Sequence, residues 1–225
     1  MSEAEEIINQ GKKEDIECLK VSSDADDIQP EERKRRVKKL AGAISHGIRN
    51  RGEIKVRAFG EGAAWKSVKS LAIARKYIAA TNQKMELSYS PAFIDAEIQS
   101  GTMNGVGFTV FATERDAESN PLNLDNVKDV LLVKRDSDDS TPEQKREAIR
   151  KLASAISHAC LENGDCIVRA FGQYCVYKSI KALAMARGFV ASKGPDLYVW
   201  NDFVVAEMNG SSQTGQQFYC FTNAN

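Results

Sequence analysis

Two histidines, His46 and His158, are the side chains best suited by type to acid–base chemistry, and they occupy equivalent positions in two similar segments of the chain. On a predicted helix each lies about half a turn from the apolar stripe, so each is either solvated or available for contact with the other segment or a partner. Neither segment carries a self-consistent acid–base or metal-binding set of side chains, as a catalytic site requires. We therefore predict no catalytic residue, no metal, no cofactor and no enzymatic activity.

A glycine pair offers a second kind of chemistry. Gly60-Glu61-Gly62 follows a predicted strand and opens a predicted helix, where free N–H groups can hold a phosphate. A third glycine is missing, however, and the equivalent segment has Gly172-Gln173-Tyr174-Cys175. The sequence therefore favours a tight turn over a phosphate cradle.

A basic run could bind the phosphates of a nucleic acid. Residues 17–113 carry 16 basic and 11 acidic side chains, a net charge of +5, whereas residues 129–225 carry 11 of each. The first segment is therefore the better candidate for a polyanion. The predicted phosphate contacts lie on its first helix: Arg33, Arg35, Arg36, Lys38 and Lys39.

The whole chain is neutral, with 31 basic and 31 acidic residues, which excludes a strong overall attraction to nucleic acid or to an anionic membrane. The polar N-terminus predicts no signal peptide, and no apolar run of about 18 residues could span a membrane. The five cysteines form no paired C-x-x-C motifs, which favours reduced thiols over disulfides or zinc. We predict a cytosolic protein without a membrane partner, and the nucleus and cytoskeleton stay open as alternatives.

The two segments are copies of one another. Residues 40–75 and 152–187 align without a gap at an offset of 112, with 19 of 36 positions identical, which indicates duplication. Further along, the offset becomes 110, where Phe108–Phe111 aligns with Phe218–Phe221. The sequence thus predicts an acidic N-terminal tail (1–16), a first domain (17–113), a polar linker (114–128) and a second domain (129–225).

Each copy has the same order of predicted elements. Strands at 17–22 and 130–134 precede an acidic loop and a helix that ends near residue 50 or 162, with apolar residues at the i, i+3, i+4, i+7 spacing. A strand, a second helix ending near residue 80 or 192, and a hairpin follow, with the hairpin strands of the first copy predicted around residues 85–99 and 106–113. The predicted fold class is α+β: two βαβαββ domains, each a four-stranded mixed sheet with two helices on one face.

The second helix of each copy predicts how the copies meet. Its mixed lysine and apolar face would pack the two copies together as an intramolecular pseudo-dimer, which a 15-residue linker can span. The predicted contact residues are Lys66, Lys69, Ile73, Lys178, Lys181 and Met185. Arg75 and Arg187 lie instead on the apolar stripe of this helix, so each needs a carboxylate or carbonyl partner or contacts a ligand.

Several motifs together resemble a known family. Leu71–Ala80 (LAIARKYIAA) and Leu183–Ser192 (LAMARGFVAS) each follow Arg-Ala-Phe-Gly and Lys-Ser-x-Lys, as in the bacterial stage V sporulation protein S family. The resemblance covers both copies and implies an Alba-like fold, self-association and a role in binding nucleic acid. It also implies phosphate contacts from lysines in the first β–α loop and the hairpin tip. Here the loops, residues 24–32 and 136–144, are acidic, and the tips, residues 99–107 and 209–217, contain no Lys or Arg.

Two functions follow from these observations. The resemblance favours an Alba-like module that binds nucleic acid, either RNA or DNA. The acidic loops and zero net charge favour the alternative, a structural component of a larger protein assembly, cytoskeletal or ribonucleoprotein.

Overall fold

The computed structural model describes residues 17–98, 101–114, 124, 127–208 and 210–222. The predicted N-terminal tail and most of the predicted linker lie outside the described residues. We call residues 17–113 repeat 1 and the described part of 129–225 repeat 2. Repeat 1 contains β1 (Cys18–Val21), α1 (Pro30–Arg51), β2 (Glu53–Ala58), α2 (Glu61–Thr81), β3 (Met85–Ile98) and β4 (Gly101–Glu114). Repeat 2 contains β5 (Val130–Val133), α3 (Pro142–Asn163), β6 (Asp165–Phe171), α4 (Gln173–Ala191), β7 (Leu197–Met208) and β8 (Ser211–Thr222).

The first helices begin where the sequence places their signals. Pro30 and Pro142 occupy the first turn, where the missing proline N–H costs no helical hydrogen bond. At the start of α3, the Thr141 hydroxyl accepts a hydrogen bond from the Gln144 backbone N–H at 3.2 Å. The Gln144 side chain accepts one in return from the Thr141 N–H at 2.8 Å, which completes a capping box.

The predicted mixed sheet and helices of each repeat are confirmed, but the two sheets are joined. The strand order is β1-β2-β4-β3-β7-β8-β6-β5, a single eight-stranded sheet in place of two separate four-stranded sheets. Within each half the first strand is parallel to its neighbour and the others are antiparallel. The two halves meet where β3 pairs with β7, and β1 and β5 form the outer edges.

One hydrophobic core runs through both repeats between the helices and the sheet. Alternate residues of β2, namely Ile54, Val56 and Ala58, are fully buried in it. A second, smaller cluster contains Ile167, Trp200 and Tyr219 of repeat 2, and Leu124 and Val127 pack against it. Because α2 contacts β7 and α4 contacts β3, each repeat also helps to cover the sheet of the other.

In the part of the chain that the structure describes, no helix combines the length and apolarity needed to cross a lipid bilayer.

Candidate functional site

The junction, where β3 and α2 of repeat 1 meet β7 and α4 of repeat 2, has local two-fold character. Tyr89 of β3 lies directly opposite Val199 of β7 in an antiparallel pair. These two residues are equivalent at the 110-residue offset that also relates Phe108 to Phe218. Two equivalent residues can face each other in this way only where a two-fold axis passes between them. The axis therefore lies at the Tyr89–Val199 pair, and α2 and α4 contact each other across it.

A buried hydrogen-bond network crosses the junction. The Tyr89 hydroxyl donates to Asn201 Oδ1 at 3.2 Å. Asn201 Nδ2 in turn donates to the Val68 carbonyl of α2 at 3.1 Å and to Gln216 Oε1 at 2.6 Å. Tyr89 and Asn201 are each about 1% exposed, so the Tyr89 hydroxyl and the Asn201 side-chain oxygen are buried groups that bond to each other across the junction.

Arg75 forms an ionic bridge between the repeats. Its guanidinium makes two hydrogen bonds to Glu86, at 2.5 and 3.0 Å, and reaches Asp202 of repeat 2 at 3.4 Å. It also lies over the ring of Trp200, 4.0 Å from the centroid, as a cation–π contact. Of the two roles left open by the sequence, the structure therefore shows the structural one.

Arg187, the equivalent residue in repeat 2, stays within its own repeat. It makes two hydrogen bonds to Asp196, at 2.7 and 2.9 Å, and both side chains are about one third exposed. Asp196 is equivalent to Glu86, so the arginine–carboxylate pair was duplicated, whereas the contact with the opposite repeat is made by Arg75.

The helix-two lysines lie mainly in contacts inside their own repeats. Lys66 Nζ is 2.6 Å from Asp24, and Lys178 forms the equivalent ion pair with Asp136. Burial alone would raise the pKa of Asp24, but the hydrogen bond and charge of Lys66 hold it below its usual value. The same balance lowers the pKa of Asp136. These lysines bind helix two to the loop after the first strand of their own repeat, and the inter-repeat contact predicted for them stays a prediction.

Of the other predicted contact residues, Lys181 and Met185 lie beside the opposite repeat. Lys69 lies over the ring of Trp65, and Lys181 over the ring of Tyr177, at 4.7 and 4.3 Å from the centroids. Met185 and Lys181 line a groove of about 350 Å³ together with Phe93 of the repeat 1 hairpin. Ile73 is partly buried against the core.

The basic run of α1 is largely engaged with its own surroundings. Arg35 and Arg36 both bind Glu32, at 2.7 and 3.0 Å, and Arg36 also binds Asp24. The hydrogen bonds from these two arginines lower the pKa of Glu32 to about 2. Arg33 donates to the Asp26 carbonyl at 2.7 Å. Of the predicted phosphate contacts, Lys38 and Lys39 are exposed and have no ion-pair partner within the described residues.

A cationic groove at the edge of repeat 1 brings β1 and α1 together. It has a volume of about 440 Å³, and its lining includes Lys20, Arg36, Lys39 and Lys66. Lys20 was not predicted as a phosphate contact, because a single lysine in a four-residue strand forms no pattern of charge. The only signal is the comparison with repeat 2, where the equivalent residue is Leu132.

The comparison with known families bears on both halves of this site. Residues 17–113 and 144–223 match the family model for Stage V sporulation protein S. The chain belongs to the stage V sporulation protein S family. The matched segments contain both arginine–carboxylate pairs and both strands of the junction, so the family resemblance and the tandem repeat are confirmed. Membership supports a small Alba-like module in each repeat.

The histidines of this stage V sporulation protein S tandem lie away from the junction. His46 and His158 are exposed on α1 and α3. One ring nitrogen of His46 is 2.9 Å from the Asn50 side-chain nitrogen, a contact along the same helix. Neither histidine is therefore placed between the repeats, and contact with a separate partner stays a prediction.

The glycines at the start of helix two act as turns in both family domains. Gly60 and Gly172 cap α2 and α4 with φ of +84° and +80°, a conformation that side-chain-bearing residues rarely adopt. A Cβ at Gly62 would lie 2.9 Å from the Ser23 hydroxyl oxygen, so this position is closed by the first loop. The local geometry is thus the tight turn that the sequence favours.

The five cysteines are free thiols, and all except Cys18 are buried. Cys160 and Cys166 Sγ atoms are 3.7 Å apart, next to Cys220. Their mutual hydrogen bond and burial raise the pKa of Cys160, and burial raises that of Cys220. Both are therefore protonated at neutral pH. Among the described residues no group of His, Cys, Asp and Glu has the arrangement of a metal site.

Proposed function

We propose that this chain is a non-enzymatic nucleic-acid-binding module whose phosphate-binding surface lies on repeat 1. The observation that carries the proposal is the convergence of Lys20 and Lys39 at one groove, with Lys38 exposed as the sequence neighbour of Lys39 on α1. None of these three lysines has an ion-pair partner in the described part of the chain. A phosphate does not have to compete with a carboxylate for these lysines, so they contribute more binding free energy to a polyanion than ion-paired cations do. The free thiols support a reducing compartment, the cytosol.

The two repeats differ at this surface in charge. Lys20 and Arg36 have the equivalents Leu132 and Ala148 in repeat 2, while Lys38 and Lys39 have the equivalents Arg150 and Lys151. Of the four cations that line the groove in repeat 1, only two have cationic equivalents in repeat 2, namely Lys151 and the ion-paired Lys178. Repeat 2 thus serves as an internal control of similar shape and lower charge.

The contacts would be electrostatic and independent of base sequence. The charge of Arg35 and Arg36 is partly compensated by Glu32, so they contribute less to binding a phosphate than the three unpaired lysines. About three phosphate contacts give a slope near −2 in a plot of log affinity against log salt for a single strand. We therefore expect weak binding that is strongest at low ionic strength.

The test is fluorescence anisotropy with labelled single-stranded RNA, single-stranded DNA and duplex DNA of mixed sequence, at about 50 and 200 mM salt. The variant K20A/K38A/K39A should lose about tenfold or more in affinity and should flatten the salt slope. The matched control R150A/K151A on α3 removes two exposed cations from repeat 2 and should bind nearly as well as the parent. No binding at low salt, or equal losses in both variants, would overturn the proposal.

A different observation supports the second candidate, a component of a larger assembly. Val130 and Leu132 on the edge strand β5 are 47% and 55% exposed, and the backbone of an edge strand can pair with another strand. A second copy adding to this edge would cover both side chains. Leu132→Lys gives β5 the residue that β1 carries, and it should abolish any concentration-dependent increase in mass seen by light scattering. A parent chain that stays monomeric at every concentration contradicts this candidate.

A further inference from the structure

We propose that the junction surface of repeat 1 has become specific for repeat 2 and no longer pairs with a second copy of repeat 1. This inference does not depend on the proposed function. It rests on three differences between the repeats, each at a position that faces the other repeat across the local two-fold axis.

The first difference is one of volume on the axis. Tyr89 and Val199 face each other and are both buried, and the Tyr89 ring packs edge-on against Phe108 at 5.4 Å. In a pair of two repeat 1 domains, a tyrosine would face a tyrosine; in a pair of two repeat 2 domains, a valine would face a valine. The first pair is overfilled and the second leaves a void, because buried positions are packed without spare space. The large residue fits opposite the small one.

The second difference is a hydrogen-bond partner. The Tyr89 hydroxyl donates to Asn201, and the residue equivalent to Asn201 in repeat 1 is Pro91. A proline side chain has no hydrogen-bonding atom. In a pair of two repeat 1 domains, both Tyr89 hydroxyls would be buried without the acceptor that they have in the chain, which penalises that pairing.

The third difference is charge. Arg75 and Lys76 of repeat 1 share the carboxylate of Asp202, at 3.4 and 2.9 Å, and Lys76 also lies near the ring of Phe203. The residue equivalent to Asp202 in repeat 1 is Ala92. In a pair of two repeat 1 domains, the Arg75 and Lys76 side chains of each copy would face Ala92 of the other and lose this carboxylate, which leaves two neighbouring cations without it on each side of the axis.

The opposite side of the axis shows what the junction looks like without these contacts. There, Pro91 and Ala92 face Arg187 and Gly188 of α4 across an open groove of about 480 Å³. The side formed by Arg75, Trp200 and Asp202 is closed by ionic and ring contacts instead. In a repeat 1 pair neither side would contain Trp200 and Asp202, the two groups that close it.

The first test separates the two repeats and measures which pairs they form. A sequence-specific protease site is inserted into the linker between Asn120 and Pro121 of the full chain, and the cleaved protein is unfolded in urea, refolded and weighed by native mass spectrometry. We expect repeat 1–repeat 2 pairs to exceed repeat 1 pairs by more than tenfold. A statistical 1:2:1 mixture overturns the proposal, and so do halves that remain single at every concentration.

A pair of variants of the cleaved protein checks which residues select the partner. Asn201→Leu with Asp202→Ala should weaken repeat 1–repeat 2 pairing about tenfold or more, since a buried hydroxyl loses its acceptor and two cations lose a carboxylate. Glu207→Ala, which removes an exposed acidic residue from the same strand, should leave pairing unchanged. Equal effects of the two variants overturn the assignment.

A second measurement uses the uncut chain and needs no separated halves. Tyr89→Val and Val199→Tyr should each lower the urea midpoint, because one leaves a void and the other overfills the axis. The double variant restores a large residue opposite a small one, next to Phe218, and should recover at least half of the summed loss. Strictly additive losses would show that the two positions are not complementary and would overturn the proposal.

Discussion

Replacing Arg75 with methionine should destabilise the chain far more than the same change at Arg187. Methionine keeps much of the apolar stem of arginine but removes the guanidinium. At position 75 the change removes both hydrogen bonds to Glu86, the ion pair with Asp202 and the cation–π contact with Trp200. At position 187 it removes only the pair with Asp196.

The burial of the two arginine pairs sets the expected size of each effect. The side chains of Arg75 and Glu86 are 16% and 9% exposed, and breaking a buried pair by removing one partner costs about 3–5 kcal/mol. Arg187 and Asp196 are 33% and 30% exposed, where solvent screening limits an ion pair to about 1 kcal/mol or less. We expect a loss of about 3 kcal/mol for Arg75→Met and at most about 1 kcal/mol for Arg187→Met.

The assay is urea unfolding followed by circular dichroism. For an m-value of about 2.5 kcal/mol/M, the midpoint should fall by about 1.2 M for Arg75→Met and by no more than about 0.4 M for Arg187→Met. Because the two arginines are sequence equivalents on equivalent helices, helix propensity changes equally in both variants. Equal shifts would refute the reasoning, since they would show that the contacts of Arg75 across the junction add nothing.

Three other predictions concern local features. The pKa values of Asp24 and Asp136 are lowered in the folded chain. Their ion pairs therefore stabilise the fold fully at a pH above the ordinary carboxyl pKa, and this stabilisation is lost as the pH falls through the lower folded pKa. The variant D24N/D136N should flatten the pH dependence of stability below about pH 4, measured by thermal unfolding. Gly172→Ala should cost about 1–3 kcal/mol because φ is +80° and ψ is 157°, a combination that residues with a Cβ rarely adopt. Gly188→Ala, in an open part of α4, should be neutral or stabilising in the same urea assay. A thiol reagent should modify Cys18 in the native chain much faster than the four buried thiols, and mass spectrometry of the intact protein should show one early adduct: Cys160, Cys166, Cys175 and Cys220 are the protected residues.

The regular elements could be predicted closely from sequence because their signals are local. The apolar spacing and the prolines place α1 and α3, which end at Arg51 and Asn163, one residue beyond the predicted ends. The first strand of each repeat is shorter than predicted by one or two residues, and β4 starts at Gly101, earlier than predicted. The glycines and polar residues at the start of β4 give no strand pattern in the sequence, and this part of the strand forms because it pairs with β3.

The junction could not be predicted in detail because its signals are tertiary. Duplication suggested that the repeats meet through helix two, and α2 does contact α4, but two of the four lysines chosen on that helix, Lys66 and Lys178, pair with aspartates of the first loop. The axis lies instead on β3 and β7, at Tyr89 and Val199, which neither composition nor periodicity distinguishes from other core residues. Arg75 was identified as unusual, yet its partners are 11 and 127 residues away in sequence.

The order of the strands in the joined sheet has a consequence for biosynthesis. Strand β3 borders the junction, and its partner β7 follows about 110 residues later, which takes roughly 5–20 s at ~5–20 residues per second on a ribosome. During that interval repeat 1 can complete its contacts with β1, β2 and β4, but the flank of β3 at Tyr89 has no strand beside it. The nascent chain therefore carries an unpaired strand edge and an apolar surface until its own later half is made, and during that interval chaperones and neighbouring nascent chains can compete for this surface.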